Sequence, residues 1–433
     1  MLTLITHTDY LSDKTLRVLG AGMLALVLLL TPVLLMAQTH RVKAGGSIAA
    51  VLVQARAGDV IEVERAYYET HLVIDKPLTL RGLNRPTLSG GNTGDVLRIK
   101  SPDVTIEGFI IRDSGDDLTA QNAGIYGEPG SDRLVVRKCD LVYNLFGIWF
   151  ETSKDVQAID NLITGKRDYL SSRRGNGIQL YNTTGAKIIG NNISFARDAI
   201  YVDISHNAIF RNNKLHHLRY GTHYMNSYYN LWENNETYLN RGGLALMEVK
   251  HQTVRNNIAW GNSDHGIMLR TIEDSVIENN IVAGNGKGFF VYDGVYNVIR
   301  NNLIINNAIG VHLWAGSYHN EVEENDFIHN QFQIRYVASR DENWGTKKGN
   351  YWSNYSGWDR DANGVGDIPY EANDVVDHLT WKHPAVKILL NSPAVDTLRM
   401  IARQFPLLRP PSIMDNHPRM TPFHADWRRW LEH

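Results

Sequence analysis

Cysteine is almost absent: one in 433 residues, Cys139, which excludes a disulfide framework and any Cys-cluster zinc site. An excess of charge of one sign is also missing. The 44 basic and 46 acidic side chains leave a net charge of -2, so the broad basic footprint of a nucleic-acid binder is not there. No Gly-rich phosphate loop and no Ser/His/Asp elbow occurs. A hydrophobic fraction of 43% against 21% charged residues provides for a core and rules out global disorder. The length suits two or three ordinary domains, or one body built from repeats.

What the sequence has in surplus is asparagine. There are 38, and 29 of them fall between Asn176 and Asn354, alongside 36 glycines in the whole chain. So much turn chemistry excludes a helical protein and points to an all-β chain with closely spaced corners. Pairs recur at Asn191-Asn192, Asn212-Asn213, Asn234-Asn235, Asn256-Asn257, Asn279-Asn280 and Asn301-Asn302, with spacings of 21, 22, 22, 23 and 22 residues. Glu324-Asn325 continues the series, and Cys139-Asp140 and Asp160-Asn161 precede it, with an insertion at Lys166 to Asn176. A period near 22 with short β-branched runs is a solenoid signature. Three strands of about five residues fit each coil. The expected fold is a right-handed parallel β-helix, with asparagine at corners because it tolerates left-handed backbone.

A second element runs in phase with the first, for example Gly147-Ile-Trp-Phe-Glu151, Gly221-Thr-His-Tyr-Met225, Gly243-Leu-Ala-Leu-Met247 and Gly266-Ile-Met-Leu-Arg270. Period-two alternation sends the first and third residues after the glycine inward and the second and fourth outward. One outward column then reads Trp149, Gln179, Tyr201, His223, Ala245, Met268, Phe290, His312. The other reads Glu151, Tyr181, Asp203, Met225, Met247, Arg270, Tyr292, Trp314.

Function is sought on that face. His223 and Met225 project from one strand, Met247 is expected beside Met225 on the next coil, and Met268, His265 and His251 lie close in the scheme. Imidazole with thioethers is a soft donor set suited to Cu(I). The same strip can instead be an apolar surface for a protein partner, since methionine adapts to partner surfaces. A third reading is a carbohydrate-active enzyme, a polysaccharide lyase or epimerase. It would use Trp149, Tyr181, Tyr201, Tyr292 and Trp314 as sugar platforms and Arg197, Asp198 and Asp203 as acid–base groups. No pair of coils, however, aligns two carboxylates in one column. His216, His217 and His319 read as solvated corner residues. Asp359, Asp361, Asn363 and Asp367, with Gly364, match the opening of a calcium loop whose twelfth position is Tyr370 instead of glutamate.

The ends differ from the body. Val18 to Met36 is a run of 19 uncharged residues after Lys14 and Arg17, read as a signal peptide ending near Ala37 or as a membrane anchor. Residues 1–37 are thus set apart from a β-helix over 38–348, a Trp/Tyr- and Asp-rich capping loop over 349–373, and a tail over 374–433. Ser392-Pro393 opens a helix reaching Gln404, and Pro406, Pro410, Pro411, Pro418 and Pro422 mark the remainder as a docking tail.

Taken together, the Asn-Asn coils, Tyr220-Gly-Thr-His-Tyr-Met225, Ala245-Leu-Met247, Asn350-Tyr-Trp-Ser-Asn-Tyr with the Asp359 loop, and Asn391-Ser-Pro-Ala394 resemble the NosD family. These are periplasmic accessory proteins of nitrous oxide reductase maturation. The resemblance spans nearly all of the exported part. It implies a periplasmic β-helix partner of an ABC transporter, formed by a NosF-like ATPase and a NosY-like membrane subunit. The implied task is delivery or insertion of copper during assembly of the reductase's copper centres, alongside a NosL-like copper chaperone, with no reaction catalysed by the chain itself. His223, Met225 and Met247 match the family's motif positions and become the metal-relay candidates, and the tail becomes the dock onto the membrane subunit.

Overall fold

The computed structural model describes residues 37–431, apart from Ala315, Ser339, Leu390, Asn391 and 406–410. The hydrophobic N-terminal run, Pro406 and Pro410 therefore lie outside the described residues. From Thr39 on, the chain is a parallel β-solenoid of three sheets with 13, 12 and 13 strands among the described residues. Each strand pairs in parallel with its equivalent one coil later. The step is 22 residues between Asp198 and Tyr220, 23 between Gly242 and His265, and 30 across the insertion, between Ile148 and Ile178. The expected all-β helical architecture is what the chain adopts. Helix α1 (Ile48–Gln54), for which no sequence signal was read, is capped by Ser47 and sends Ile48 and Leu52 into the first part of the core.

The paired asparagines divide the work between backbone and core. The first of each pair, such as Asn212, Asn234, Asn256, Asn279 and Asn301, has φ between 51° and 57°, the left-handed region that asparagine tolerates. The second, as at Asn213, Asn235, Asn257, Asn280 and Asn302, is buried and points inward. Each of these accepts on Oδ1 from the backbone N–H and the Nδ2 of the asparagine one coil earlier, as Asn257 does from Asn235 at 3.0 and 2.9 Å. An amide suits this role because it carries an acceptor and two donors on one short side chain. The pair Asn191-Asn192 is one place out of phase. Gly190 is its left-handed residue and Asn191 its ladder residue, so the 21-residue spacing read from the sequence is a true step of 22. Cys139 is likewise the ladder member after left-handed Lys138, not the first of a pair with Asp140.

A ladder of this kind ends with donors in search of an acceptor. Asn350 finds it in Asp415, 65 residues further along, whose carboxylate takes the backbone N–H at 2.9 Å and Nδ2 at 3.0 Å, together with Trp352 Nε1 at 2.9 Å. Only an acceptor is wanted there, and a carboxylate is acceptor-only. Asp415 sits on the strand Ile413–Asp415, which pairs in parallel with Glu342–Trp344 and antiparallel with Tyr370–Ala372. Further on, Trp430 packs on Leu303, Ile305 and Ile328, outward-facing residues of the third sheet, and Asp326 accepts from the backbone of Phe423 and His424. Between the strands Tyr370–Ala372 and Ile413–Asp415 run α2 (Val375–Lys382) and α3 (Pro393–Gln404), the second starting at the expected Ser392-Pro393 and tied to the first by Arg399 on Asp374, 2.7 Å. No helix among the described residues is long and apolar enough to cross a membrane.

Candidate functional site

The outward face of the twelve-stranded sheet carries the columns read from the repeat. Tyr201 pairs with His223, His223 with Ala245 and Ala245 with Met268. Beside them, Asp203 pairs with Met225 and Met247 with Arg270. The strand pairing between these coils runs as far as Tyr224 and Leu246, the residues just before Met225 and Met247. Their strands are Tyr220–Met225 and Gly242–Lys250. Ala245 is outward yet has no exposure, and stands between His223 and Met268 in the column.

His265 behaves differently. It belongs to a third outward column, Asp198–Tyr220–Gly242–His265–Lys287, and is 1% exposed. Its ring rests on Gly242, where an added Cβ would stand 2.5 Å from Nε2, and lies 5.6 Å from the Tyr220 ring. Nε2 is buried without a hydrogen-bond partner, and Nδ1 faces Asp264 at 3.6 Å. His251 is not in the site: it occupies a corner with φ 53° and stacks on Tyr229 at 4.7 Å. His216 contacts His217 and stacks on Tyr238, and His319 stacks on Tyr296.

His223 is the most elaborated of the candidates. Its Nδ1 lies 3.3 Å from Asp198 Oδ2 and 3.1 Å from Arg219 Nη2. Arg219 grips the same carboxylate with Nε at 2.9 Å and Nη2 at 2.5 Å. Burial alone would raise the Asp198 carboxyl, but hydrogen bonds from His223 and Arg219 hold it below the usual range. Arg219 escaped the sequence reading, although its position one before Tyr220, the register partner of Asp198, was available from the repeat. Tyr201 meets the His223 ring edge-on at 5.1 Å.

At the far end of the face, burial first, then Arg335 and Lys287, draw His312 down to about 4, so it is neutral at ordinary pH. Its Nε2 accepts from Trp314 Nε1 at 2.6 Å. Tyr292 and Trp314 stand 5.9 Å apart with Trp314 exposed, but Asp198 is buried and committed to its clamp. The loop read as a calcium motif spends its oxygens on its own backbone. Asp359 accepts from the N–H of Asn363 and Gly364, and Asp367 from that of Arg360. Among the described residues, no group of three or more His, Cys, Asp or Glu side chains converges as a metal site, a criterion that leaves thioethers out.

Residues 159–357 match the family model described as "Periplasmic copper-binding protein (NosD)". A Pseudomonas aeruginosa protein described as "Probable ABC transporter binding protein NosD" is 39% identical over 82% of this chain and 86% of its own length. A Stutzerimonas stutzeri protein of the same description is 37% identical over 82% and 85%. Among solved structures, the A-module of the Azotobacter vinelandii mannuronan C-5 epimerase AlgE6 is similar with a TM-score of 0.56 at 14% identity, over 67% of this chain and 93% of that one. The Dettilon tailspike protein is similar at 0.53 and 13%, over 68% and 64%. At such identities these two share the fold alone.

Proposed function

The chain belongs to the NosD family, and from that premise we propose that it is the periplasmic, copper-handling component of an ABC-transporter assembly that builds the copper centres of nitrous oxide reductase. What supports the reading is that His223 and Met225 share one strand and Met247 lies on the strand paired with it. A neutral imidazole and two thioethers need no deprotonation of a thiol or carboxylic acid and favour Cu(I) over oxygen-seeking ions. Copper is cargo in this reading, held transiently, with Met268, the strand partner of Ala245, and His265 as further candidates. Calcium is not part of this reading. The chain catalyses no reaction of its own.

Its partners in this reading are a NosY-like permease, a NosF-like ATPase, a NosL-like copper chaperone and the reductase apoprotein. The export run before Ala37 fits delivery to the periplasm. The helical excursion between Tyr370–Ala372 and Ile413–Asp415 leaves Ile388, Leu389, Met400 and Phe405 exposed, an apolar surface suited to docking on the membrane subunit. The test is Cu(I) titration against a competing chelator for the protein and its His223→Ala and Met247→Ala variants. Loss of affinity in both supports the reading, and unchanged affinity in both removes these residues from it. A silent titration, with Met-strip variants that still block reductase maturation, would favour the metal-free scaffold.

A further inference from the structure

The coils turn from the twelve-stranded sheet toward the sheet that begins with Thr39–Val42 through a left-handed residue. Asp155, Gly185, Asn207 and Asp274 are types that tolerate this conformation. Tyr229 and Tyr296 hold the same place with φ of 60° and 57°, an outlier for a bulky side chain. They are 60% and 56% exposed, so burial does not account for them. His251 and His319 follow on the next coils, at 53° and 57°. The Tyr229 and His251 rings lie 11° from parallel with centroids 4.7 Å apart, and those of Tyr296 and His319 lie at 10° and 5.4 Å. Near-parallel rings this close lie face over face, so each pair stacks along the solenoid, one ring to a coil. Between the pairs comes the coil of Asp274. The N–H of His251 donates to Glu273 O at 3.1 Å, and that of Asp274 to Val295 O at 3.4 Å.

The second faces of His251 and Tyr296 thus look toward each other across one coil, which carries the exposed Asp274 in place of a ring. Lys250, whose ammonium feels that carboxylate, is bonded to Glu273 instead. We propose that this step of the ladder is a slot for the guanidinium of an arginine on a partner protein. A guanidinium is planar, stacks on aromatic faces and meets a carboxylate with paired donors. One such group between His251 and Tyr296 continues the stack from Tyr229 through to His319. An ammonium has the charge without the plane, and a sugar laid on this corner meets ring edges instead of faces. Tyrosine and arginine are also enriched among the residues that carry binding energy at protein interfaces. The slot goes beyond the copper reading and does not depend on it.

The test is 19F NMR of the full chain labelled with 3-fluorotyrosine, the Tyr296 signal being the one lost in Tyr296→Phe. N-acetylarginine amide is titrated beside the matching citrulline and lysine derivatives, the first planar and uncharged, the second charged without a plane. The expected result is a saturating shift of the Tyr296 signal with the arginine derivative. The citrulline and lysine derivatives should bind about 2- to 5-fold more weakly, the worth of an exposed cation–π contact. Asp274→Asn should weaken the arginine derivative by about 2- to 5-fold. An unmoved Tyr296 signal overturns the proposal, and so does equal binding of arginine and lysine derivatives, or of arginine and citrulline derivatives. Urea unfolding supplies a second readout. Asparagine suits the corner, so Tyr296→Asn should leave the midpoint unchanged or raise it. A lower midpoint, or a variant that does not fold, would assign the stack to the fold and overturn the proposal.

Discussion

Asn256 and Asn257 are chemically identical neighbours, and replacing each in turn should have opposite consequences. Asn257 Oδ1 accepts from the backbone N–H and Nδ2 of Asn235, while its own Nδ2 donates to Trp232 O at 3.0 Å and Asn280 Oδ1 at 3.0 Å. In Asn257→Ala the Asn235 side chain keeps its bond to Phe210 O, and Asn280 Oδ1 keeps the backbone N–H of residue 257. The Asn235 backbone N–H is left buried and unpartnered. An orphaned buried donor costs about 1–3 kcal/mol, and the three other lost bonds about 0.5–1.5 kcal/mol each, so the whole change should cost about 2.5–7.5 kcal/mol. Asn256, at φ 55°, serves the backbone instead. Glycine adopts that conformation without strain, so Asn256→Gly should stay within about 1 kcal/mol of the wild type. Urea unfolding followed by circular dichroism, with both variants measured in parallel, separates the cases. Equal losses in the two would refute the division of labour between corner and ladder.

Three further outcomes follow from particular contacts. Asp415→Ala removes the acceptor for Asn350 and Trp352, so hydrogen exchange should quicken around Asn350 and Trp352 while the coils before Asn257 keep their protection. Asp264 is held well below the usual carboxylate range by the neighbouring His265 imidazole, against burial, and by its hydrogen bond from Lys287. A depressed folded-state pKa adds stability that is whole above the unfolded value of about 4 and is lost as pH falls through the folded one, so Asp264→Asn should flatten the acid limb of the pH–stability curve. Trp430→Ala uncovers Leu303, Ile305 and Ile328, and should cost about 3–5 kcal/mol if the site does not relax, read as faster proteolysis from the C-terminal side.

The outward columns were legible because their positions repeat. Counting from the coil glycines puts His223 in one column and Met225 and Met247 in the other, and the strand register carries Tyr201, His223, Ala245 and Met268 as counted. The count failed where the motif's phase shifted: Asn191-Asn192 and Cys139-Asp140 look like the other pairs, yet only φ shows which member turns the corner. His265 is near Met268 in the chain but belongs to a separate column, because the strand pairing skips Gly243 and Gly266 between the two columns, a break that period-two counting does not register, and His265 itself is buried. The clamp beside His223 joins residues 21 and 25 positions apart and is not restated from coil to coil, so no periodic signal announced it.

By itself, the sequence determined the all-β solenoid, its coil length and the side of the sheet on which each strand residue projects, because these follow from short-range chemistry restated every 22 or so positions. The tertiary structure alone decided how the repeat stops and how its site is tuned. Asp415 ends the asparagine ladder from 65 residues away, Trp430 covers an outward apolar patch, and Asp198 with Arg219 faces the ring of His223. Each is a single long-range contact whose free energy depends on burial and partner geometry, and neither quantity is written in the order of residues.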